Sequence, residues 1–330
     1  MELRFKKIYP IFIIALLCLS ISCEKKSRYY KVEGMIWNTL YHVTYEGDKA
    51  LQDSILPILN GVGKSLSVFD ENSLVSFLNK SDSLRVDSHF VIVYDTSKKI
   101  NLLSEGNFDP TLSPLIDAWG FGRGHTVSPD TLAVDSILTF IGINKTHRNG
   151  DIIIKDDRRI RFNFSAIAKG YGCDAVGDML RRNGVDNYMV EIGGELVLNG
   201  VSPSGKAWKI AIDAPIEEKS PGEETALIIE VSDCGVATSG NYRNYRIDNG
   251  VKNAHTISPL TGRPFIGQIL SATVISSSCM ESDALATACM ASSDQFAKEL
   301  LGKAGAEGLF IYADSIWMTP GFKKHIISEF

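Results

Sequence analysis

Residues 152–198 read IIIKDDRRIRFNFSAIAKGYGCDAVGDMLRRNGVDNYMVEIGGELVL, and this stretch decides the fold. Its first part has two short apolar runs, which predict a hairpin of the strands Ile152–Lys155 and Arg159–Phe164. The segment Ser165–Arg182 then has helical spacing and is closed by Gly184, a residue typical of the position just beyond a helix. Two apolar runs at the end of the stretch predict a pair of strands. This order of elements indicates an α+β fold.

Strands dominate the sequence beyond this stretch, and helices occur on both sides of it. The predicted strands elsewhere and at its end are Leu40–Tyr45, Tyr188–Ile192, Glu195–Leu198, Trp208–Asp213, Leu227–Val231, Arg243–Ile247, Ile269–Ile275 and Leu309–Tyr312. The other predicted helices run from Ile55 to Leu66, over Val86–Leu103, from a Ser128 cap to Gly142, over Ser282–Ala291 and over Asp294–Leu301. We therefore expect mixed or antiparallel sheets with flanking helices. No G-x-G-x-x-G follows a predicted strand, so a Rossmann fold is not expected.

The N-terminus predicts export. Basic residues precede the apolar run Ile8–Ile21, which is too short to span a bilayer comfortably and is typical of a signal peptide. Ser22 and Cys23 follow it and resemble a bacterial lipobox. We interpret 1–22 as a lipoprotein-type signal peptide, Cys23 as the lipidated residue, 24–36 as a short tether and 37–330 as a single domain. A plain secretory signal and a retained anchor helix are the alternatives.

Composition places the chain among ordinary globular proteins, with 44% hydrophobic and 22% charged residues. Its net charge of −5 argues against a nucleic-acid partner. Four cysteines remain beyond Cys23, namely Cys173, Cys234, Cys279 and Cys289. Their scattered spacing predicts buried free thiols rather than a zinc ligand set or a disulfide framework.

A metal site is indicated by residues 281–288, which read ESDALATA. Asp283 and Thr287 are four residues apart and therefore lie on one helix face. A carboxylate, a hydroxyl and a nearby main-chain carbonyl are the hard oxygen ligands that Mg²⁺ accepts. The alternative is that Asp283 complements the helix dipole while Thr287 only packs.

Three further segments could bind a ligand. Residues 165–172 (SAIAKGYG) open a helix with small residues and the positive charge of Lys169, which suits a phosphate group or merely close helix–sheet packing. Residues 236–245 (VATSGNYRNY) offer hydroxyls and Arg243 to phosphate or flavin, although an exposed hairpin would look the same. His255 follows as a general acid or base, or as a surface or capping residue.

Two glycine-containing segments complete the set. Residues 108–122 contain FDPTLSP and WGFG and form an aromatic loop that binds a flat ligand or plugs the core. Gly193-Gly194-Glu195 interrupts a strand and predicts a bulge where another backbone comes close.

Five of these segments occur together and in one order: FDPTxxPLxxxWGFG, AIAKGY, GGE, VATSGNYRNY with HTISPxTGRP, and SDALATA. This set resembles the ApbE family, the periplasmic FAD:protein FMN transferases, over nearly the whole mature chain. The resemblance implies an α+β, T-fold-related architecture with FAD in a cleft and Mg²⁺ on its pyrophosphate. It also implies that a Thr or Ser hydroxyl of a target flavoprotein attacks the FMN phosphorus and that AMP leaves.

The resemblance also implies site residues. The metal ligands would be the side chains of Asp283 and Thr287 with main-chain oxygens of Ala166 and Ala286. The FAD contacts would be Trp37, Phe69, Phe108, Asp109, Asn163, Lys169, Arg243 and Ile257. This chain departs from the family pattern at four positions. It has Trp37 where Met is usual, Phe69 where Tyr is usual, and Asn163 and Ser258 where Asp is usual. His255 would take the proton of the attacking hydroxyl.

The implied partners are FAD, an exported or membrane flavoprotein and the membrane that holds the Cys23 lipid. We expect a periplasm-facing protein, anchored to the inner rather than the outer membrane. A magnesium-dependent FAD pyrophosphatase and a flavin-binding lipoprotein without turnover are the alternative functions.

Overall fold

A computed structural model describes residues 28–122, 130–216, 224–241, 245–248, 251–254, 256–265 and 267–329. Its strands are β1 (Tyr29–Ile36), β2 (Thr39–Glu46), β3 (Ser83–Arg85), β4 (Thr146–Asn149), β5 (Ile152–Lys155), β6 (Tyr188–Ile192), β7 (Glu195–Asn199), β8 (Trp208–Asp213), β9 (Thr225–Val231), β10 (Cys234–Gly240), β11 (Tyr245–Asp248), β12 (Val251–Ala254), β13 (Ser271–Ser276), β14 (Glu307–Ile311), β15 (Ile316–Met318) and β16 (Ile326–Glu329). Its α-helices are α1 (Gln52–Leu66), α2 (Leu74–Leu78), α3 (Ser88–Leu103), α4 (Ser113–Ala118), α5 (Thr131–Phe140), α6 (Ala168–Arg182), α7 (Cys279–Met290) and α8 (Asp294–Ala304). Short 3₁₀ turns cover Ile143–Lys145 and Phe322–His325.

An eight-stranded sheet in the order β1-β2-β6-β7-β10-β13-β14-β15 organises the molecule. Every neighbouring pair in it is antiparallel. Helices α6 and α7 pack on this sheet and on each other, and α1 and α3 pack against them. A smaller sheet, β16-β9-β8, forms a separate apolar core with β7, β10, β13 and β14. The α+β prediction with antiparallel sheets is confirmed.

The predicted hairpin is wrong in its second strand. Strand β5 pairs with β3 and β4 instead of with 159–164. The side chain of Asn79 explains the difference, because its Nδ2 donates to the Phe162 carbonyl at 2.8 Å and its Oδ1 accepts from the Phe162 N–H at 2.7 Å. Phe162 and Phe164 are fully buried and stack on each other. The apolar spacing therefore reflects burial of an irregular segment, not strand pairing.

The N-terminal predictions need one correction. Residues 29–36, assigned to the tether, form strand β1 and pair with β2 from Tyr29↔Glu46 to Ile36↔Thr39. The tether prediction is therefore wrong over these residues, because alternate side chains of the segment are partly buried in the sheet. The proposed signal and Cys23 lie outside the described residues.

Gly193 and Gly194 form a tight turn instead of the predicted bulge. Ile192 pairs directly with Glu195, so the two glycines are the whole connection between β6 and β7. Their φ angles are 59° and 95°, the left-handed conformation that such two-residue hairpin turns require. The atoms nearest to a Cβ on Gly193 belong to a side chain, with Thr39 Oγ1 at 2.8 Å, and not to another backbone as predicted.

Several boundaries also differ. Asp130 caps α5 through a 2.7 Å hydrogen bond from the Ala133 N–H, whereas Ser128 lies outside the described residues. Ser278 caps α7, which begins at Cys279 rather than Ser282. The four cysteines beyond Cys23 are free thiols; Cys173, Cys279 and Cys289 are buried and Cys234 is partly buried.

Candidate active site

A cavity of about 380 Å³ lies where α6, α7, β10 and the segment 107–116 meet. Its lining residues include Phe108, Asp109, Asn163, Ser165, Ala166, Lys169, Glu195, Thr238, Ser239, Thr256, Ile257, Asp283 and Thr287. Most of these residues are polar, although the cavity reaches into the core. Such a site suits a ligand with charged or hydroxyl groups.

Helix α7 places Asp283 and Thr287 on the cavity wall. The N-terminus of α7 is held by the side chain of Asp174, which accepts hydrogen bonds from the N–H groups of Cys279 at 3.0 Å and Met280 at 2.9 Å. Asp283 lies one turn further along and is only 4% exposed. Thr287 follows one turn later, with its Oγ1 3.3 Å from Ser239 Oγ. The predicted one-face arrangement is therefore present.

The start of α6 completes a set of oxygen ligands. The Gly170 N–H donates to Asp283 Oδ2 at 3.1 Å instead of to the Ala166 carbonyl four residues earlier. Within the described part of the chain, the Ala166 carbonyl receives no hydrogen bond, and α6 consequently begins at Ala168 instead of Ser165. Position 170 requires glycine, since a Cβ would lie 2.4 Å from the Cys279 carbonyl oxygen.

This oxygen set fits Mg²⁺. The Asp283 carboxylate, the Thr287 hydroxyl and the unused Ala166 carbonyl are hard donors of the kind this ion prefers. Ala286 is fully buried in the apolar core and is not among the residues lining the cavity. A metal contact by its main-chain oxygen stays a prediction. Among the described residues, no group of three His, Cys, Asp or Glu side chains forms a metal site.

Three charged side chains meet in the wall of the cavity. Lys169 Nζ forms an ion pair with Glu195 Oε1, and Asp283 lies close enough to interact with both electrostatically. Burial alone would lower the pKa of Lys169, but the charges of Glu195 and Asp283 outweigh it and raise the pKa above the usual lysine value. Burial raises the pKa of Asp283 and of Glu195, and the Lys169 ammonium opposes both shifts. Lys169 is therefore cationic at neutral pH.

The segment 107–116 is organised by Asp109. Its Oδ1 accepts hydrogen bonds from the Thr111 N–H at 2.8 Å and Oγ1 at 2.6 Å, and its Oδ2 accepts from the Ile143 N–H at 3.0 Å. Burial raises the pKa of this carboxyl, while the hydrogen bonds work against the shift. Because both oxygens already have protein partners, Asp109 shapes the loop that presents Phe108.

A second groove of about 830 Å³, named the aromatic groove for the two aromatic side chains in its wall, adjoins this cavity and shares Ser165 and Lys169 with it. Trp37 and Phe69 line it, and Phe69 is 74% exposed. Trp37 occupies the turn between β1 and β2 with φ of 49°. Its indole packs against two glycines, because a Cβ on Gly172 would lie 2.7 Å from Trp37 Cη2 and one on Gly63 would lie 2.8 Å from Nε1.

The structure thus brings most of the predicted residues together. The residues of the cavity are Phe108, Asp109, Asn163, Ala166, Lys169, Ile257, Asp283 and Thr287, and those of the groove are Trp37 and Phe69. Arg243 and His255 lie outside the described residues. Glu195 also lines the cavity, a role that the sequence does not predict for its GGE segment. Its signal was a charged residue directly after a two-glycine turn.

Among the described residues, no helix combines the length and the apolar character needed to cross a membrane.

Comparisons with known proteins give the site a context. The ApbE family model matches residues 37–310. The FAD:protein FMN transferase of Vibrio cholerae is 35% identical over 331 residues, covering 96% of this chain and 96% of that protein. A protein of the same name from Haemophilus influenzae is 30% identical over 342 residues, covering 97% of this chain and 98% of its own length.

Solved structures agree with these relatives. The flavin transferase ApbE from Vibrio cholerae matches with a TM-score of 0.79 at 31% identity, over 91% of this chain and 99% of that chain. The apo form of the Pseudomonas stutzeri flavinyl transferase ApbE matches with a TM-score of 0.82 at 29% identity, over 92% and 98%. The relatives and the antiparallel α+β fold together place the chain among transferases. The chain belongs to the ApbE family, as the ordered motifs predicted.

Proposed function

We propose that this protein transfers the FMN half of FAD to a Thr or Ser hydroxyl of an exported or membrane flavoprotein, in a magnesium-dependent reaction that releases AMP. The observation that carries the proposal is the convergence of Asp283, Thr287, the Ala166 carbonyl and Lys169 in one cavity. The names of the relatives, FAD:protein FMN transferases, support the same reaction class.

Asp283, Thr287 and Ala166 would hold Mg²⁺. When bound, the ion supplies positive charge at the pyrophosphate oxygens and so makes AMP a better leaving group. Lys169, whose pKa is raised by the charges of Glu195 and Asp283 against the effect of burial, adds a fixed positive charge beside the same oxygens. A cation next to Asp283 also offsets the unfavourable burial of that carboxylate.

The aromatic groove would hold the flat isoalloxazine ring. Trp37 and Phe69 offer apolar faces there, and aromatic rings stack favourably in offset arrangements. Because the groove shares Ser165 and Lys169 with the polar cavity, one extended ligand can place its ring in the groove and its phosphates beside Lys169. FAD has this combination of a flat ring and a pyrophosphate.

The attacking hydroxyl must lose its proton as the new phosphoester bond forms and the bond to AMP breaks. His255 is our proposed base. It precedes Thr256 in the chain, and Thr256 and Ile257 line the cavity. No carboxylate occupies position 258, where Ser258 stands, so His255 acts without that neighbour.

The test uses the full chain in detergent with FAD, Mg²⁺ and a candidate exported acceptor domain. Intact mass spectrometry of the acceptor should show the gain of one FMN, which EDTA and Asp283→Asn should both abolish. Free FMN with AMP and an unmodified acceptor would instead establish a pyrophosphatase. Intact FAD with every acceptor tried would leave a flavin-binding protein and reject the transferase.

We also propose that the protein is exported and anchored to the inner membrane through a lipid on Cys23, with its site facing the periplasm. The short apolar run before Cys23 supports this. Metabolic labelling with palmitate should mark the wild-type chain and not Cys23→Ser. Equal labelling of both chains would contradict the proposal.

A further inference from the structure

Glu195 is delivered to the cavity by a turn that leaves it little freedom. It is the first residue of β7 and pairs with Ile192 across Gly193 and Gly194. Its main-chain carbonyl accepts a hydrogen bond from Cys173 Sγ of α6 at 3.2 Å. The residue is therefore fixed from the sheet below and from the helix that carries Lys169.

The two carboxylate oxygens of Glu195 differ in their contacts. The residue is 3% exposed, and Oε1 forms the ion pair with Lys169. The second oxygen, Oε2, is buried and has no hydrogen-bond partner in the described part of the chain. A buried carboxylate oxygen without a donor is costly, so native proteins normally provide one. Glu195 lines the cavity, where a ligand can supply that donor.

The chemistry around Oε2 selects the kind of donor. Lys169 already supplies a positive charge to this carboxyl group, and the proposed Mg²⁺ is assigned to the Asp283 side, so Oε2 needs a hydrogen-bond donor rather than another cation. A neutral hydroxyl is such a donor. Both substrates of the proposed reaction carry hydroxyls: FAD has them on its sugar chains, and the acceptor has the one that attacks.

We propose that Glu195 is a substrate-positioning residue of this site: one carboxylate oxygen holds Lys169, and the other accepts a hydrogen bond from a substrate hydroxyl. The inference rests on the proposed transfer of FMN from FAD to a protein hydroxyl. It adds a contact that neither the metal set nor the predicted FAD contacts include.

The decisive variant is Glu195→Gln. Lys169 needs an acceptor, so the amide oxygen will face Lys169 and the amide NH₂ will face the cavity, where it cannot accept from a hydroxyl. We expect the KM of the substrate that supplies the hydroxyl to rise about tenfold or more, with kcat and Tm little changed. The matched control is Glu191→Gln in β6, whose carboxylate accepts from the Gly194 N–H at 2.6 Å and does not line the cavity.

Steady-state transfer is measured with FAD and acceptor varied in turn, and FAD binding is measured separately by calorimetry without acceptor. A raised KM and a weaker Kd for FAD identify a hydroxyl of FAD, whereas a raised KM for the acceptor alone identifies the attacking hydroxyl; either result supports the proposal. Both KM values within about twofold of wild type would overturn it.

Two further measurements distinguish failure of this inference from structural damage and from failure of the proposed function. If Glu195→Gln lowers Tm, Glu195→Asp keeps the charge but withdraws the free oxygen; an unchanged KM for both substrates then overturns the inference. If wild type transfers no FMN, the proposed function fails on its own account. In that case a tenfold weaker FAD Kd of Glu195→Gln still supports the hydroxyl contact, and an unchanged Kd overturns it.

Discussion

Asp283 is 4% exposed and accepts a main-chain hydrogen bond, whereas Phe69 in the adjoining groove is 74% exposed. The polar cavity is thus built from groups that the fold already fixes: an ion pair, a helix N-terminus and a tight turn. The aromatic groove leaves apolar surface for a ligand to cover. This difference suggests that the cavity supplies preorganised electrostatics, while the groove contributes binding energy when the ring enters.

The strongest test of this comparison removes a fixed charge from the cavity. We expect Asp283→Asn to lower FMN transfer by about 100-fold or more, because the proposed magnesium site would lose the charge of its carboxylate ligand. Glu281→Gln is the matched control on the same helix, since Glu281 pairs with Lys99. Initial rates of acceptor labelling check the prediction. Equal losses of labelling rate in both variants would mean that substitutions in α7 lower the rate in general and that the Asp283 charge is not the cause.

The contact between Trp37 and Gly172 is the next target. Gly172→Ala would place a methyl group 2.7 Å from Trp37 Cη2, so the indole must move and the free energy of unfolding should fall by about 1–3 kcal/mol. FAD affinity should weaken with it. Gly302→Ala is the control, because a Cβ there meets nothing within 4 Å. Urea unfolding and FAD titration measure both effects, and an unchanged FAD affinity would separate Trp37 from the ligand.

A third prediction concerns pH and the joint between α6 and α7. Burial raises the pKa of Asp174 to about 7, so the folded carboxyl keeps its proton at pH values where the unfolded chain has lost it. Between about pH 4 and 7, this residue therefore lowers the free energy of unfolding as pH rises, by at most about 1.4 kcal/mol per pH unit.

Asp174→Asn should remove that contribution and flatten the pH dependence of urea unfolding in this range. Asp95→Asn, in α3 and paired with Arg148 at the surface, should leave the slope as it is in wild type. A slope that Asp174→Asn does not change would show that the Asp174 carboxyl titrates normally in the folded protein.

The smallest expected effect lies in the groove. Phe69→Ala should weaken FAD binding by about three- to tenfold with little change in kcat, since a single stacking contact contributes about 0.5–1.5 kcal/mol. Phe77→Ala, which removes another partly exposed ring outside the groove, is the control. Fluorescence titration of FAD checks both. A fall in kcat at saturating FAD would show that Phe69 affects the chemical step. The groove would then not act through binding alone, in contrast to what the comparison with the cavity predicts.

The sequence predicted the parts of the site that depend on local patterns better than the parts that depend on long-range contacts. Asp283 and Thr287 could be paired from the sequence because a helix alone brings them together. Glu195 could not be recognised as the partner of Lys169, since the two meet only through packing of a hairpin under α6. The irregular segment around Phe162 looked like a strand because its alternating burial has the same period, while Asn79 takes its hydrogen bonds.

Strand β1 has a consequence for where the enzyme can work. It is an edge of the main sheet and begins at Tyr29. If Cys23 carries the lipid as proposed, only residues 24–28 separate the membrane from the folded body, a reach of about 18 Å when fully extended. The folded domain would stay close to the bilayer surface. It could not reach acceptors whose target hydroxyl lies far above the membrane.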